Sequence, residues 1–487
     1  MNRRQFLGMV GGALGMSTAT AATAEKPGSS RRPNVILIMT DNQGPWTLGC
    51  YGNKDIRTPH LDRMAAEGVC FTRAFSNNAV CSPTRATYLT GLMPCQHGVH
   101  KFIDNSVMIG PDAYSTLEEF DTLPQILSEA GYVCGLSGKW HLGDNLCPQE
   151  GFTYWVTKPY GHTTSFWNQD VIENGEMHTI EEHQTDYWTR RGIEFIEANS
   201  DRPFFLFLAY NGPYGLGDKL LRQARNRYTE YYANNTLPSF PREEPHPWNL
   251  NYGHLIGNIE AIRGYASEVS MVDDGVGEVL KALERLGLDN NTLVIFTADQ
   301  GLAGGHGGYW GMGDHTRPLT AHEGTMRVPL LFRHPGNIPG GERPDHMVSN
   351  YDFMTSLLHY LGLEERLPPT PASPGRSYHP ILQGKNVKQW ENAVFYEFEN
   401  VRAIRTDRWK CVVRVGGHPN ELYDLEHDPN ERNNLWDDTA HESVRTSLQQ
   451  RLHAFFKKYA DPKWDLWRGG GAKGGLLLGK KPYEGQA

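Results

Sequence analysis

Three unbroken apolar runs constrain the fold of this chain more than any other feature: residues 34–39 from Asn34 to Met39, residues 204–209 from Phe204 to Ala209, and residues 292–297 from Thr292 to Thr297. Each is short, rich in β-branched or aromatic residues, and lacks the polar alternation of a half-exposed strand. Such runs are strands covered on both faces, the condition of a parallel sheet with helices packed on either side. A fourth strand-like run spans Tyr132, Val133, Cys134, Gly135 and Leu136. Helical spacing appears between the runs, at Leu61, Met64, Ala65 and Gly68, at Thr122, Pro124, Ile126, Leu127 and Ala130, and from Tyr265 to Leu286. The alternation predicts an α/β fold, a large mostly parallel sheet flanked by helices, over residues 32–365. A Pro-rich loop at 367–374 marks a boundary. Beyond it, short strands at 394–396, 401–405, 410–415 and 421–424 and a helix at 442–459 predict a smaller C-terminal α+β subdomain over 375–465, with a flexible Gly-rich tail at 468–487.

The polar residues that follow the runs matter most, because open α/β sheets bind ligands beyond the carboxyl ends of their strands. Asp41 and Asn42 follow the first run, and Asp299 and Gln300 follow the third. Asp41 and Asp299, a carboxylate at each of two strand ends, suit a divalent cation, with an Asx turn as the alternative for the first pair. Lys139 and His141 alternate by two, so in an extended segment a cation and an imidazole face the same side, with a pair of surface residues as the plainer alternative. The run Cys81-Ser82-Pro83-Thr84-Arg85 joins an irregular stretch to a helix, with Pro83 in the first turn where its missing N–H costs nothing. Cys81 at that helix N-terminus is expected to be more acidic than usual, and Arg85, four residues on, lies on the same face with a fork of donors for a tetrahedral oxyanion. A buried cysteine at the start of an ordinary helix is the plainer alternative.

Composition narrows the class. With 39% hydrophobic and 11% aromatic residues the chain reads as a globular enzyme, and a net charge of −9 without a polybasic run gives no electrostatic support for binding nucleic acid or an anionic membrane. An anionic substrate must therefore be held by local charge. Residues 1–24, with Arg3-Arg4, an apolar stretch to Met16 and Ala22-Thr23-Ala24, have the layout of a twin-arginine export signal, which predicts an exported, periplasmic protein. That stretch is shorter than the ~20 residues needed to span a bilayer, and no later segment is long and apolar enough, so no stable membrane span is expected. Seven cysteines lack any CxxC spacing, and their pairing is left open.

In its wider setting the Cys81 run, continued by Ala86-Thr87-Tyr88-Leu89-Thr90-Gly91, resembles the signature of the sulfatase family. Four further segments also resemble that family: Thr58 to Val69, Gly138-Lys139-Trp140-His141-Leu142-Gly143, Glu323-Gly324-Thr325-Met326-Arg327-Val328-Pro329, and Asp424 to Glu431. The resemblance implies a sulfuric ester hydrolase of arylsulfatase type. Cys81 would be converted to formylglycine by a formylglycine-generating enzyme, and its hydrate would attack sulfur, with His141 as base and Arg85 and Lys139 stabilising the sulfuryl oxygens. Asp41, Asn42, Cys81, Asp299 and Gln300 would hold the metal, Ca²⁺ in the first place and Mg²⁺ in the second. The sequence departs from the family where Asn42 and Gln300 supply amides, where Tyr214 replaces a common histidine, and where Pro318 replaces a lysine. Tyr214, His315 and Arg317 are accordingly the candidate substrate-binding residues, with Arg317 expected to replace the lysine. The irregular segment 215–252 reads either as an insertion beside the substrate entrance or as a surface excursion. Sulfated carbohydrates and small sulfate esters are both open as substrates. Two other readings stand beside this one: a phosphodiester or phosphonate monoester hydrolase of the same superfamily, and a non-catalytic protein that binds sulfated glycans. Cys81, Arg85, Lys139 and His141 occurring together argue against the last.

Overall fold

The apolar runs lie side by side in a computed structural model that describes residues 32–479; the expected export signal at 1–24 and the tail beyond 479 lie outside the described residues. The strands of the large sheet are β1 (Asn34–Asp41), β2 (Val69–Cys70), β3 (Val133–Gly138), β4 (Tyr154–Thr157), β5 (Gln169–Glu173), β6 (Glu176–Ile180), β7 (Phe204–Pro213), β8 (Thr292–Ala298) and β9 (Leu330–Arg333). Their order across the sheet is β2-β9-β8-β1-β7-β3-β4-β5-β6. The five central strands, from β8 to β4, run parallel, and the strands outside them pair antiparallel.

Both faces of β1 are buried, as its unbroken apolar run requires. Ile36 and Ile38 pack with helices α1 (Pro59–Ala66), α3 (Gln184–Ala198) and α4 (Ile259–Arg285), whereas Val35, Leu37 and Met39 pack on the opposite face with α2 (Cys81–Thr90) and the helices at Leu123–Glu129 and Phe353–Tyr360. Each such side chain contributes roughly 1.5–3 kcal/mol of burial. α4 begins six residues before the expected Tyr265, because the Asn258 side chain accepts from the amides of Glu260 and Ala261 and caps an earlier turn. α3 and the β4–β6 hairpin region were not marked by the sequence pattern.

The register of the parallel strands brings their carboxyl ends level. Thr40 pairs with Ala298, Asp41 with Pro213, and Gly138 with Ala209. Backbone bonds beyond the strands extend this alignment: Asp299 N donates to Thr40 O (3.0 Å), Tyr214 N to Asp41 O (3.2 Å), and Lys139 N to Ala209 O (2.7 Å). Gly138 is required there, since its φ is +119° and a Cβ would stand 1.9 Å from Ala209 O.

The C-terminal strands β10 (Ala393–Phe398), β11 (Val401–Thr406), β12 (Trp409–Arg414) and β13 (Glu421–Asp424) form an antiparallel meander. One face packs on α5 (Glu442–Tyr459) through Leu448, Leu452 and Phe456, and the other, with Val394, Tyr396 and Ala403, joins the apolar cluster of the large sheet. Where a flexible tail was expected after Trp467, Lys473 N donates to Gly98 O (2.7 Å) and Leu478 N to Glu399 Oε2 (3.1 Å). All seven cysteines are free. Among the described residues no helix is long and apolar enough to cross a membrane.

Candidate active site

The N-terminus of α2 points its first residue into the space beyond the strand ends. Val80 precedes the helix in extended conformation, Thr84 Oγ1 donates to Cys81 O (2.7 Å), and Gly91 closes the helix at φ 69°. Ser82 anchors this end: its hydroxyl donates to His141 O (2.8 Å) and accepts from Ile103 N (3.0 Å). Cys81 Sγ thereby lies 3.7 Å from Asp41 Oδ1, and ligand atoms of Asp41, Cys81 and Asp299 all fall within 4.8 Å of one another.

Four buried charges form the floor. Arg85 donates to Asp299 Oδ2 from Nε (3.0 Å) and Nη2 (2.8 Å), and to the Lys139 carbonyl from Nη1 (2.8 Å). Lys139 Nζ pairs with Asp41 Oδ2. Two carboxylates and two cations, all buried, balance one another. Burial first, and then the charge of Asp41, raises Asp299 to about 6. The same two causes push the Cys81 thiol well up, which corrects the expectation of an acidic cysteine: desolvation outweighs the helix N-terminus. As a bare thiol, Cys81 is a poor nucleophile here.

The donor set fits a divalent cation. The amide oxygens Asn42 Oδ1 and Gln300 Oε1 are buried without a hydrogen-bond partner, while their amide nitrogens are engaged, Asn42 Nδ2 with Met312 Sδ (2.7 Å) and Gln300 Nε2 with Asp41 Oδ1 (3.1 Å). Orphaned oxygens next to two carboxylates are costly unless a cation or water serves them.

Lys139 and His141 do converge, but through a turn rather than an extended alternation, since β3 ends at Gly138 and His141 has φ +61°. Asn42 (φ +58°) and Tyr214 (φ +41°) share this left-handed backbone, so strain of about 1–3 kcal/mol per residue is concentrated at the site. Both ring nitrogens of His141 lack a partner, and burial, with Lys139 second, holds its pKa well below the usual range, so the ring is neutral.

Above the floor is a cavity of about 300 Å³ lined by Cys81, Phe102, His162, Tyr214, Tyr252 and His315 among others. Leu216, Gly217 and Tyr252 bring both ends of the 215–252 segment to its wall. Of the expected substrate-binding residues, Tyr214 and His315 line the cavity and Arg317 does not. Its guanidinium donates to Asp314 O (2.9 Å) and Thr316 O (2.7 Å), carbonyls of its own loop, which turns it away from the role of the missing lysine. Phe102 and His162 escaped the sequence reading because both sit in irregular segments without periodicity. Gly161, beside His162, lets the segment close over His141: a Cβ there would meet His141 Nε2 at 2.0 Å.

A family model described as Sulfatase matches residues 33–363. The chain belongs to the sulfatase family. A second model, N-sulphoglucosamine sulphohydrolase C-terminal, matches residues 310–458. The chain is similar to the N-acetylglucosamine-6-O-sulfatase of Bacteroides thetaiotaomicron, 26% identical over 92% of this chain and 90% of the relative. It is also similar to the N-acetylgalactosamine-6-sulfatase of Canis lupus familiaris, 30% identical over 71% of this chain and 65% of the relative. In fold it resembles a protein solved in complex with its substrate D-glucosamine-2-N,6-O-disulfate, with a TM-score of 0.70, 24% identity, and coverage of 88% of this chain and 98% of that one. The family carries the fold; the roles of individual residues rest on the geometry above.

Proposed function

We propose that the chain hydrolyses sulfate esters of carbohydrates, with 6-O-sulfated N-acetylhexosamines as the first substrates to test, using formylglycine at position 81 and a divalent cation, Ca²⁺ before Mg²⁺. The observation that carries this is the placement of Cys81 at the base of a monosaccharide-sized cavity, between two strand-end carboxylates, two orphaned amide oxygens and two buried cations. The hexosamine preference draws on the two 6-sulfatases to which the chain is similar.

Formylglycine would supply, as its hydrate, an oxygen nucleophile, and the cation would polarise the sulfuryl group. Asp41, Asp299, Asn42 Oδ1 and Gln300 Oε1 would hold the cation. Because the four buried side-chain charges cancel, a divalent ion gives the floor a net positive charge, matched to a sulfate ester. Arg85 is fixed by Asp299 and the Lys139 carbonyl, and Lys139 by Asp41, so both cations are oriented before substrate arrives and need little reorganisation. His141, neutral and with both nitrogens free of partners, accepts the proton when sulfate is released. Maturation would require a formylglycine-generating enzyme, and the twin-arginine layout of residues 1–24 supports export to the periplasm.

The test is a peptide mass measurement at Cys81 combined with sulfate release from 6-O-sulfated N-acetylglucosamine and N-acetylgalactosamine, an aryl sulfate, a phosphodiester and a phosphonate monoester. The thiol mass should be absent and a sulfated sugar should be the preferred ester. Fully active protein with an unmodified Cys81 would falsify the mechanism, and preference for a phosphorus ester would reassign the activity.

A further inference from the structure

The irregular segment 215–252 and the residues just after it build a wall whose outer side has no role in the account so far. The wall is tied to the loop that carries His315: Leu250 N donates to His315 O (2.9 Å), Arg317 N to Trp248 O (2.9 Å), and His246 N to Gly308 O (2.8 Å). Tyr252 follows in the left-handed backbone region at φ +60°. Its ring meets the His315 ring edge-on (4.8 Å between centroids) and its hydroxyl accepts from Gly217 N, so both ends of the side chain are held. Tyr252 lines the cavity above Cys81, of about 300 Å³, and also a second, open depression of about 700 Å³, shared with Leu250, Asn249, Asn251, His246 and His254 among others. The two spaces adjoin at that ring. The lining of the outer one suits an uncharged sugar. Leu250, 54% exposed, and the Tyr252 ring offer apolar surface to the C–H face of a pyranose. Asn249 Nδ2 donates to Gly308 O (2.6 Å), which leaves its Oδ1 for a hydroxyl, and the exposed Asn251 amide bonds to nothing among the described residues. Among the described residues no lysine or arginine lines the depression, and Asp218 Oδ2, 3.8 Å from His254 Nε2, offsets charge on that ring. A carboxylate or a second sulfate there would find no cation to hold it.

We propose that the enzyme takes its sulfated hexosamine as part of an oligosaccharide, and that Tyr252, Leu250, Asn249 and Asn251 hold an adjacent uncharged hexose or N-acetylhexosamine in preference to a hexuronic acid or a sulfated sugar. The inference rests on the sulfated-carbohydrate reading above and adds the chemistry of the neighbouring sugar to it. Contacts to that neighbour lie outside the reacting centre, so they raise kcat/KM without altering the charged floor.

The experiment measures sulfate release from a 6-O-sulfated N-acetylhexosamine alone and from disaccharides in which it carries a neutral hexose or a hexuronic acid, each on the reducing or the non-reducing side. Wild-type kcat/KM should be about tenfold or more higher for at least one neutral disaccharide than for the monosaccharide, the worth of one or two hydrogen bonds and a ring contact, and the hexuronate disaccharides should show no such gain. Leu250→Ala combined with Asn251→Ala removes two exposed side chains; it should abolish most of that gain and leave the monosaccharide within about twofold of wild type. Asn251→Lys supplies the missing cation and should shift the ratio of hexuronate to neutral disaccharide by about threefold or more toward the hexuronate. Equal kcat/KM for the monosaccharide and every disaccharide, a wild-type preference for a hexuronate neighbour, or equal losses on monosaccharide and disaccharide in the double variant would overturn the assignment while leaving the sulfatase reading intact. Release of sulfate from none of these sugars overturns that reading and this inference with it.

Discussion

Replacing Arg85 by methionine tests the electrostatic design of the floor. The guanidinium is fully buried, makes two bonds to Asp299 and satisfies the Lys139 carbonyl. Methionine fills much of the volume, so the cavity contribution is small. What remains is a buried carboxylate without its cation, about 3–5 kcal/mol, and a buried carbonyl without its donor, about 1–3 kcal/mol, partly overlapping. A loss of roughly 4–6 kcal/mol is expected against a typical total of about 5–15 kcal/mol. A divalent cation bound at Asp41 and Asp299 would compensate the exposed charge, so the loss should shrink by at least about 1–2 kcal/mol when Ca²⁺ replaces chelator. Urea unfolding followed by the fluorescence of the chain's 12 tryptophans measures both quantities. A destabilisation below about 1 kcal/mol in chelator would refute the charge argument, and an identical loss in Ca²⁺ and in chelator would refute the placement of the cation beside Asp299.

Four further outcomes follow from the same geometry. Asp41→Ala and Asp299→Ala should each abolish bound metal together with turnover; stoichiometric metal in both variants, by elemental analysis, would place the cation elsewhere. Cation affinity should fall as pH drops through about 6 and level off above it, because a proton on Asp299, whose pKa is raised by burial and by Asp41, competes with the ion. Calorimetric titration at about pH 7.5 and about pH 5 checks this, and equal affinities would count against Asp299 as a ligand. Gly161→Ala should cost about a hundredfold in kcat with the fold retained, since the new methyl must displace the His141 ring; near-normal kcat would show that the ring can yield. Arg317→Ala should change kcat/KM by less than about threefold, its guanidinium being occupied by loop carbonyls, whereas a loss of two orders of magnitude would return it to the role of the missing lysine.

Much of the architecture was legible because it depends on local pattern. The runs at 34–39, 204–209 and 292–297 had to be doubly covered strands, and the polar residues after them had to lie at the ligand-binding edge, so Asp41 and Asp299 could be named from their strand-end positions, while Asn42 and Gln300 joined them through the resemblance to the sulfatase family. The hexad from Gly138 to Gly143 and the Cys81 helix were legible as contiguous motifs through their resemblance to the sulfatase family. Other features depended on which chain segments meet. Whether Cys81 is acidic depends on the balance of helix end against desolvation and Asp41, which only the packed site decides. Arg317 stands next to the vacant lysine position in sequence, yet its loop turns the guanidinium onto carbonyls at Asp314 and Thr316. His162 carries no periodicity, and it becomes a cavity residue because β4 delivers its segment beside the Tyr214 end of β7 and because Gly161 lets it close over His141. Sequence determined the strands, their helices and the chemistry available at their ends; the tertiary structure decided which imidazoles line the cavity, since side-chain convergence across distant segments is set by packing and leaves no local trace.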